Sequence, residues 1–144
     1  MKEEQAEEIV VRTRHGELTL EQIAEMQPGL QRLMVEISER FWILYYAAKA
    51  GNWALARHEL SGTRKALEMG QLTRPKYVEQ INDYIRESLA PIAKAIQDQD
   101  WPAFEKAYEQ AVDQANHYHI INNYEYILWQ LPQEPPTHLK LRLE

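Results

Sequence analysis

Apolar residues recur at helical spacing along most of this chain. The clearest stretch begins at Leu30. Intervals of three and four residues separate the apolar side chains that follow, which are Leu33, Met34, Ile37, Phe41, Leu44, Tyr45 and Ala48. This spacing places them on one face and predicts a core-facing helix of about five turns. Gly51 suits a helix C-terminus and Asn52 suits an N-cap, so a tight turn into a second helix is predicted there.

The second and third helices are predicted from the same periodicity. The second runs from Trp53 to near Gly70, and its apolar face comprises Trp53, Ala56, Leu60, Thr63 and Leu67. The third starts within residues 73–75, and its stripe comprises Val78, Ile81, Ile85, Leu89, Ile92 and Ile96. Pro91 lies inside the third helix and is predicted to kink or split it, because a proline ring clashes with the preceding turn.

A fourth helix is predicted after Asp98 or Asp100, either of which suits an N-cap, with Pro102 in its first turn. Its inner face is predicted to comprise Phe104, Tyr108, Ala111, Val112, Ala115, Tyr118, His119, Asn122 and Tyr126. Four amphipathic helices joined by short connections predict an all-α protein. More specifically, they predict an antiparallel four-helix bundle over residues 28–130.

The two ends of the chain follow other patterns. Residues 1–27 are predicted to form an N-terminal arm, in which Ile9-Val10-Val11-Arg12-Thr13 suggests a short strand. Thr19 and Gln22 have the spacing of a capping box and predict a short helix. Residues 131–144 are predicted to form an extended, proline-rich tail that lies on the surface.

Composition narrows the classes of function. The chain has 144 residues, which suits one domain, and a net charge of −6, the wrong sign for a general nucleic-acid or anionic-membrane binder. No apolar run is long enough to span a membrane. The start, MKEEQAEE, lacks the apolar stretch of a signal peptide. A cytoplasmic location is therefore expected, or a periplasmic one if a leader peptide has been removed.

The sequence offers few groups for catalysis or metal binding. Cysteine is absent, which excludes disulfides, zinc–thiolate sites, Fe–S clusters and thioether-linked haem. None of the five histidines follows a glutamate by three positions, so the di-iron bundle motif is missing. We therefore predict no catalytic residue and no metal site. Tyr118, His119 and Asn122 form the one inward polar cluster, which predicts either a buried hydrogen-bond network or a small-molecule pocket.

Several short motifs resemble a family of small bacterial cytochrome c-like bundles, related in architecture to cytochrome c′. The most specific is the Gly-Asn-Trp turn within Ala47–Leu60, and Gln27-Pro28-Gly29-Leu30 precedes it. An Asp-x-x-x-Phe-x-x-Ala-Tyr segment over 100–108, the pair Tyr126-Ile127 and a proline-rich tail complete the pattern. The resemblance covers roughly residues 27–136 and implies a haem-binding helical bundle.

The haem-attachment motif of that family corresponds here to Ala115-Asn116-His117-Tyr118-His119. The asparagine and the last histidine are present, whereas Ala115 and Tyr118 replace the two cysteines that would attach the haem. No haem cofactor is therefore expected. The candidate remnant of the haem pocket comprises Phe41, Tyr45, Ala115, Tyr118, His119, Asn122 and Tyr126. The bulky rings among them are predicted to fill the space that a porphyrin would occupy.

Three functions are weighed from these observations. The first is a non-enzymatic structural or protein-interaction module with a filled core, a homodimer being one expected form. Trp42 and Tyr46 lie off the inner stripe of the first helix and are candidates for a partner surface. The second is a small-molecule binder near His119, which includes non-covalent haem. The third is an enzyme with His119 as general base and Tyr118 or Asn122 orienting a substrate. It is disfavoured because histidine is common in bundle cores that have no catalytic role.

Overall fold

The computed structural model describes residues 7–143, and most of them are helical. A β-hairpin comes first, formed by β1 (Val10–Thr13) and β2 (Gly16–Thr19) in antiparallel register. The short helix α1 (Leu20–Glu25) follows, and the Thr19 hydroxyl and Gln22 side chain form the predicted capping box at its start. The predicted strand and short helix are both confirmed.

Two long helices come next in the chain. Helix α2 spans Leu30–Lys49 and helix α3 spans Trp53–Thr73. Gly51 has a positive φ of 78° in the turn between them, and the Asn52 side chain accepts a hydrogen bond from the Leu55 amide. The turn therefore has the residues and the geometry that the sequence predicts.

The predicted third helix is a continuous rod with a local change of winding. A 3-10 turn (Pro75–Tyr77) leads into α4 (Val78–Tyr84), a π-helical segment (Ile85–Leu89) and α5 (Ala90–Gln97). The wider π turn directly precedes Pro91, whose nitrogen cannot donate a hydrogen bond. The winding thus changes from α to π and back to α just before the predicted site of the kink or split, and helical winding continues past Pro91.

The last helix, α6, spans Trp101–Ile121. Asp100 is its N-cap, whereas Asp98, the other candidate, ends α5. The predicted inner face extended to Tyr126, so the predicted helix was too long at its C-terminus. The remaining described chain, from Asn122 to residue 143, has no helix or strand and begins earlier than the predicted tail.

The helices pack around one shared apolar core. Helix α2 lies against α3 and α6, and the rod formed by α4 and α5 lies against the same two helices. Each of these elements contributes buried side chains to this core. The largest fully buried apolar side chains come from α2, α5 and α6 and are Phe41, Leu44, Ile92, Ile96, Phe104 and Tyr108. The broad prediction of a mainly α-helical protein is confirmed.

Buried tyrosines satisfy their hydroxyl groups with backbone oxygens. Tyr108 donates to the Phe41 carbonyl at 2.8 Å, and Tyr84 donates to the Ala111 carbonyl at 3.0 Å. Burial raises the pKa of both hydroxyls well above the usual value of 10. These bonds connect α6 to α2 and α4 within the core.

One charged pair is also sequestered between α2 and α3. The Arg40 guanidinium donates to the buried Glu59 carboxylate at 3.1 Å. Arg40 lies directly over Gly62, where a Cβ atom would come within 2.5 Å of the guanidinium. The glycine, which weakens a helix by about 1 kcal/mol relative to alanine, therefore provides the space for this ion pair.

Candidate functional site

The chain reverses direction at the C-terminal end of α6. Asn123 adopts a left-handed conformation with φ of 65°, and the Tyr124 amide donates to the His119 carbonyl at 2.7 Å. This is the hydrogen-bond pattern of a Schellman C-cap. The reversal brings the following residues back alongside the last turns of α6.

Asn116 and His119, near the C-terminal end of α6, bind this returning segment. The Asn116 side chain donates to the Trp129 carbonyl at 2.8 Å and accepts from the Trp129 amide at 2.7 Å. His119 Nδ1 lies 3.0 Å from the Ile127 carbonyl, which fits a proton on that nitrogen. Asn116 and His119 therefore bind the backbone of the segment that follows α6. This segment, described from residue 122 to residue 143, is called the tail below.

The ring of Trp129 packs into an aromatic cluster formed by α2 and α6. Its centroid lies 5.5 Å from the Phe41 ring and 6.1 Å from the His119 ring. Phe41 in turn stacks on Tyr108 at 4.8 Å, and Tyr45 lies 5.0 Å from Tyr108. The indole thus extends the core aromatic cluster outward to the candidate pocket.

Beyond Trp129, the tail continues along α2. Tyr46 donates its hydroxyl to the Pro132 carbonyl at 3.2 Å, and Trp42 Nε1 donates to the Glu134 carbonyl at 2.6 Å. Both side chains were expected to be available for a partner. The tail of the same chain occupies their polar atoms instead, so this surface is not free.

An open groove remains beside the tail, with a volume of about 490 Å³. Its floor is aromatic, with Phe41 and Tyr108, and Trp42 and Trp129 line its sides. Backbone and side chains of the tail close the remaining side, including Pro132 and Glu134. The space near the predicted pocket is therefore a surface groove formed partly by the tail.

The structure brings together only part of the predicted pocket. Phe41, Tyr45 and Ala115 are buried, and of these three Phe41 lines the groove. Tyr118 is half-buried and packs edge-on against Tyr84, with 6.3 Å between the ring centroids.

The other two predicted pocket residues lie outside the pocket. The Asn122 amide donates to the Gln80 side chain and to the Tyr118 carbonyl, both at 2.7 Å. Tyr126 is 76% exposed, since α6 ends before it. Tyr126 was therefore wrongly assigned to the pocket, and Asn122 caps α6 at the surface of the rod.

Trp129 is the residue that sequence reasoning missed. The helical pattern ended near it, and no periodic signal connects an extended segment to a particular helix face. One local clue was present, because the Asn122-Asn123 pair suits a left-handed helix end and a reversal of the chain.

Burial changes the proton affinity of the groups at this site. It lowers the pKa of His119 below the ordinary value of 6.5, although the hydrogen bond to the Ile127 carbonyl partly offsets the effect. Desolvation is also the main cause of the raised pKa of Tyr45. His119 is therefore neutral near pH 7, with the proton on Nδ1.

Within residues 7–143, no three His, Asp or Glu side chains lie close enough together to coordinate a metal ion. The same part of the chain has no helix that combines the length and apolarity needed to cross a membrane. The site thus combines the His119 imidazole and the Asn116 amide with several aromatic rings, and Glu134 lies at the groove beside them.

We expect Asn116→Ala to release the tail from α6. Both hydrogen bonds to Trp129 are lost, so the free energy of unfolding should fall by about 1–2 kcal/mol. Limited proteolysis should also cleave residues 127–134 faster in the variant. Gln110→Ala, at an exposed position of the same helix, is the matched control and should change neither quantity. Equal cleavage rates in all three proteins would contradict the assigned role of Asn116.

We expect His119 to make stability depend on pH near neutrality. Because its folded pKa is lowered, the unfolded chain takes up the proton first, and stability falls as the pH drops through about 6.5 toward the folded pKa. Above about pH 6.5 the contribution of His119 to the free energy of unfolding is constant. Urea unfolding at about pH 7.5 and about pH 5.5 measures the free energy of unfolding at each pH. Its decrease from the higher to the lower pH should be smaller in His119→Gln than in the native chain. His117→Gln, which alters an exposed neighbour, should keep the native loss.

No protein-family model, curated protein or solved structure matches this chain.

Proposed function

We propose that this protein is a haem-free, non-enzymatic four-helix bundle of the cytochrome c′ type that serves as a protein-interaction module and self-associates as a homodimer. The ring of helix contacts supports the bundle: α2 on α3, α3 on the α4–α5 rod, that rod on α6, and α6 on α2. The short motifs shared with the cytochrome family support the type. No nucleic-acid or membrane partner is included in the proposal, given the net charge of −6.

The observation that carries the proposal is that Asn116 and His119, which correspond to residues of the haem-attachment motif, bind the tail instead. In the resembling family this motif would hold a porphyrin. Here Asn116 and His119 bind the backbone of Trp129 and Ile127. The indole of Trp129 also packs on Phe41, at the outer edge of the core. A cofactor bound here would displace the tail and break these contacts between the tail and the helices.

The residues present also fit covalent haem poorly. Thioether attachment needs two thiols, and Ala115 and Tyr118 stand at the corresponding positions. Tyr118 packs against Tyr84, so its ring takes up space between α4 and α6. For catalysis, the Nδ1 of the neutral His119 faces the Ile127 carbonyl and is not free to accept a proton from a substrate. These features favour a filled core over a reaction centre.

The absence of haem is tested by absorbance and native mass spectrometry on the full chain. As purified from cells, the protein should lack a Soret band, and its mass should equal that of two polypeptides with nothing bound. Adding equimolar hemin should leave the Soret region like that of free hemin. A Soret shift that saturates at one hemin per chain, and that His119→Ala removes while His117→Ala retains it, would contradict the proposal.

The alternative function is binding of a small molecule beside the former haem position. The groove of about 490 Å³ favours it, because ligand sites usually have volumes of roughly 300–1,000 Å³ and aromatic walls. The open shape of the groove favours a flat, weakly held ligand over an enclosed cofactor. A fluorescent probe for aromatic grooves, such as anilinonaphthalene sulfonate, should then bind the native chain with Trp129-dependent affinity. No binding to the native chain would eliminate this alternative.

A further inference from the structure

The β-hairpin presents a largely exposed apolar face, of which only Leu18 is half-buried. Val11 pairs with Leu18 across the two strands, and Ile9 and Leu20, which are joined by a backbone hydrogen bond, follow two residues further along on the same face. Ile9, Val11 and Leu20 are 61%, 40% and 51% exposed. No residue of either strand is buried. An isolated two-stranded hairpin of this kind is only marginally stable in water.

The outer edge of β1 is open for further strand pairing. The Leu20 amide donates to the Ile9 carbonyl at 2.9 Å, which shows that the odd-numbered residues of β1 direct their backbone groups toward β2. In an antiparallel ladder the alternate residues direct theirs to the opposite side. The amide and carbonyl groups of Val10 and Arg12 therefore face outward, along an edge that can accept another strand.

Charges along this edge favour one orientation of the added strand. Glu7 and Glu8 precede β1, whereas Arg12 and Arg14 lie at its other end. Two copies of this segment that run antiparallel place acidic residues opposite basic ones at both ends. A parallel arrangement would place like charges together, which is destabilising. The segment is thus electrostatically complementary to itself.

We propose that β1 pairs with β1 of a second copy of this chain, antiparallel and with the twofold axis at Val10. This proposal rests on the self-association in the proposed function and names its interface. The axis places Val10 opposite Val10 of the second copy, and Glu8 opposite Arg12 of the second copy. The two hairpins form a four-stranded sheet, whose apolar face combines Ile9, Val11, Leu18 and Leu20 of both chains.

The register follows from the two faces of the strand. With the axis at Val10, Ile9 lies opposite Val11 of the second copy, so apolar residues meet on one face. A register shifted by two residues would oppose Ile9 to Thr13 and Val10 to Arg12, mixing apolar with polar side chains. Arg12 already pairs with Glu17 at 2.6 Å, and on the polar face it gains a second carboxylate from the other chain.

Exchanging the charges of Glu8 and Arg12 tests whether a second copy of the chain pairs with β1 and whether the two strands run antiparallel. Glu8→Arg and Arg12→Glu should each weaken the dimer by about tenfold or more, because each places two like-charged pairs across the axis. An equimolar mixture of the two variants should recover the affinity, since every pair in the mixed dimer is then opposite in charge. The double variant Glu8→Arg/Arg12→Glu should recover part of it, since Arg12→Glu also removes the ion pair with Glu17 of the same chain. Sedimentation velocity over a concentration series measures each dissociation constant.

The absence of cysteine allows a direct test of the register. Val10→Cys introduces the only thiol, and mild oxidation should link two chains through it within the dimer. Glu17→Cys, an exposed position on β2, is the matched control and should remain mostly unlinked. Circular dichroism of each variant verifies that the helices are intact.

The outcomes separate this inference from the proposed function. A dimer that is unaffected by both charge variants, and in which Val10→Cys forms no crosslink, contradicts the hairpin interface but leaves self-association in place. A chain that stays monomeric at about 100 µM contradicts both. Hemin binding would contradict the haem-free assignment without bearing on the interface.

Discussion

Replacement of Phe41 by alanine is expected to lower the free energy of unfolding by about 3–5 kcal/mol. Phe41 is only 2% exposed, and its ring stacks on Tyr108 and contacts Trp129. The truncation leaves a cavity between α2 and α6 and removes the surface on which the indole packs. Urea unfolding, followed by circular dichroism at 222 nm, measures the loss. Val35→Ala, on the exposed side of the same helix, should change stability by less than about 0.5 kcal/mol.

A double-mutant cycle with Trp129→Ala separates the core effect from the tail effect. If the indole packs on Phe41, the two losses should be non-additive, with a coupling of about 0.5–1.5 kcal/mol. Leu128→Ala, at a 64% exposed position beside the tryptophan, serves as the control and should show no coupling to Phe41→Ala. Additive losses from Phe41→Ala and Trp129→Ala would refute the contact between the tail and the core.

The second large effect is expected from Arg40→Leu, at about 2–3 kcal/mol of destabilisation. The Glu59 side chain is only 9% exposed, so its carboxylate would lose its partner in a poorly hydrated position. The expected loss is below that of a fully buried pair because the Arg40 side chain is partly exposed. Chemical denaturation of the purified variant provides the value.

Two companions to Arg40→Leu test the physical reason. Glu36→Gln removes the exposed carboxylate that also contacts Arg40 at 3.4 Å, and it should have an effect below about 0.5 kcal/mol. The double variant Arg40→Leu/Glu59→Leu removes both buried charges and should be more stable than Arg40→Leu alone. If the double variant is the less stable of the two, desolvation of an unpaired Glu59 is not the cause.

Much of the helical core follows from local sequence signals. The apolar stripes from Leu33 to Ala48 and from Val78 to Ile96 coincide mostly with buried positions, because a 3.6-residue period places those side chains on one face. Met34, Val78 and Ile85 are the members that are only half-buried. Gly51, Asn52 and Asp100 mark real helix ends, since each has a conformation or a capping atom that a helix end requires. These interactions lie within a few residues of one another, which is why they are readable from sequence.

The predicted end of α6 is wrong because two sequence signals near it favour different helix ends. The apolar period continues through Tyr118 to Tyr126 and predicts further turns of helix, whereas Asn122-Asn123 favours a left-handed ending. The structure follows the second signal, and Asn123 has the positive φ that ends the helix. Tyr126 was assigned to the pocket for the same reason, and the altered path of the chain leaves it exposed.

The tail contacts were beyond sequence reasoning for a different reason. Asn116 and Trp129 are joined by side-chain-to-backbone hydrogen bonds across a reversal of the chain. Any extended segment offers the same backbone groups, so the sequence does not specify which carbonyl the asparagine will bind. The resemblance predicts Asn116 and His119 as residues of a former haem motif. In the structure both side chains bind the tail.

The most direct test of the filled site is a nuclear Overhauser measurement between the Trp129 indole and the Phe41 ring. With 5.5 Å between the ring centroids, protons of the two rings should give cross-peaks in the full-length protein. The cross-peaks should persist in the native chain and disappear in Asn116→Ala. The absence of any Trp129–Phe41 contact in the native protein would contradict the conclusion that its own tail occupies the site.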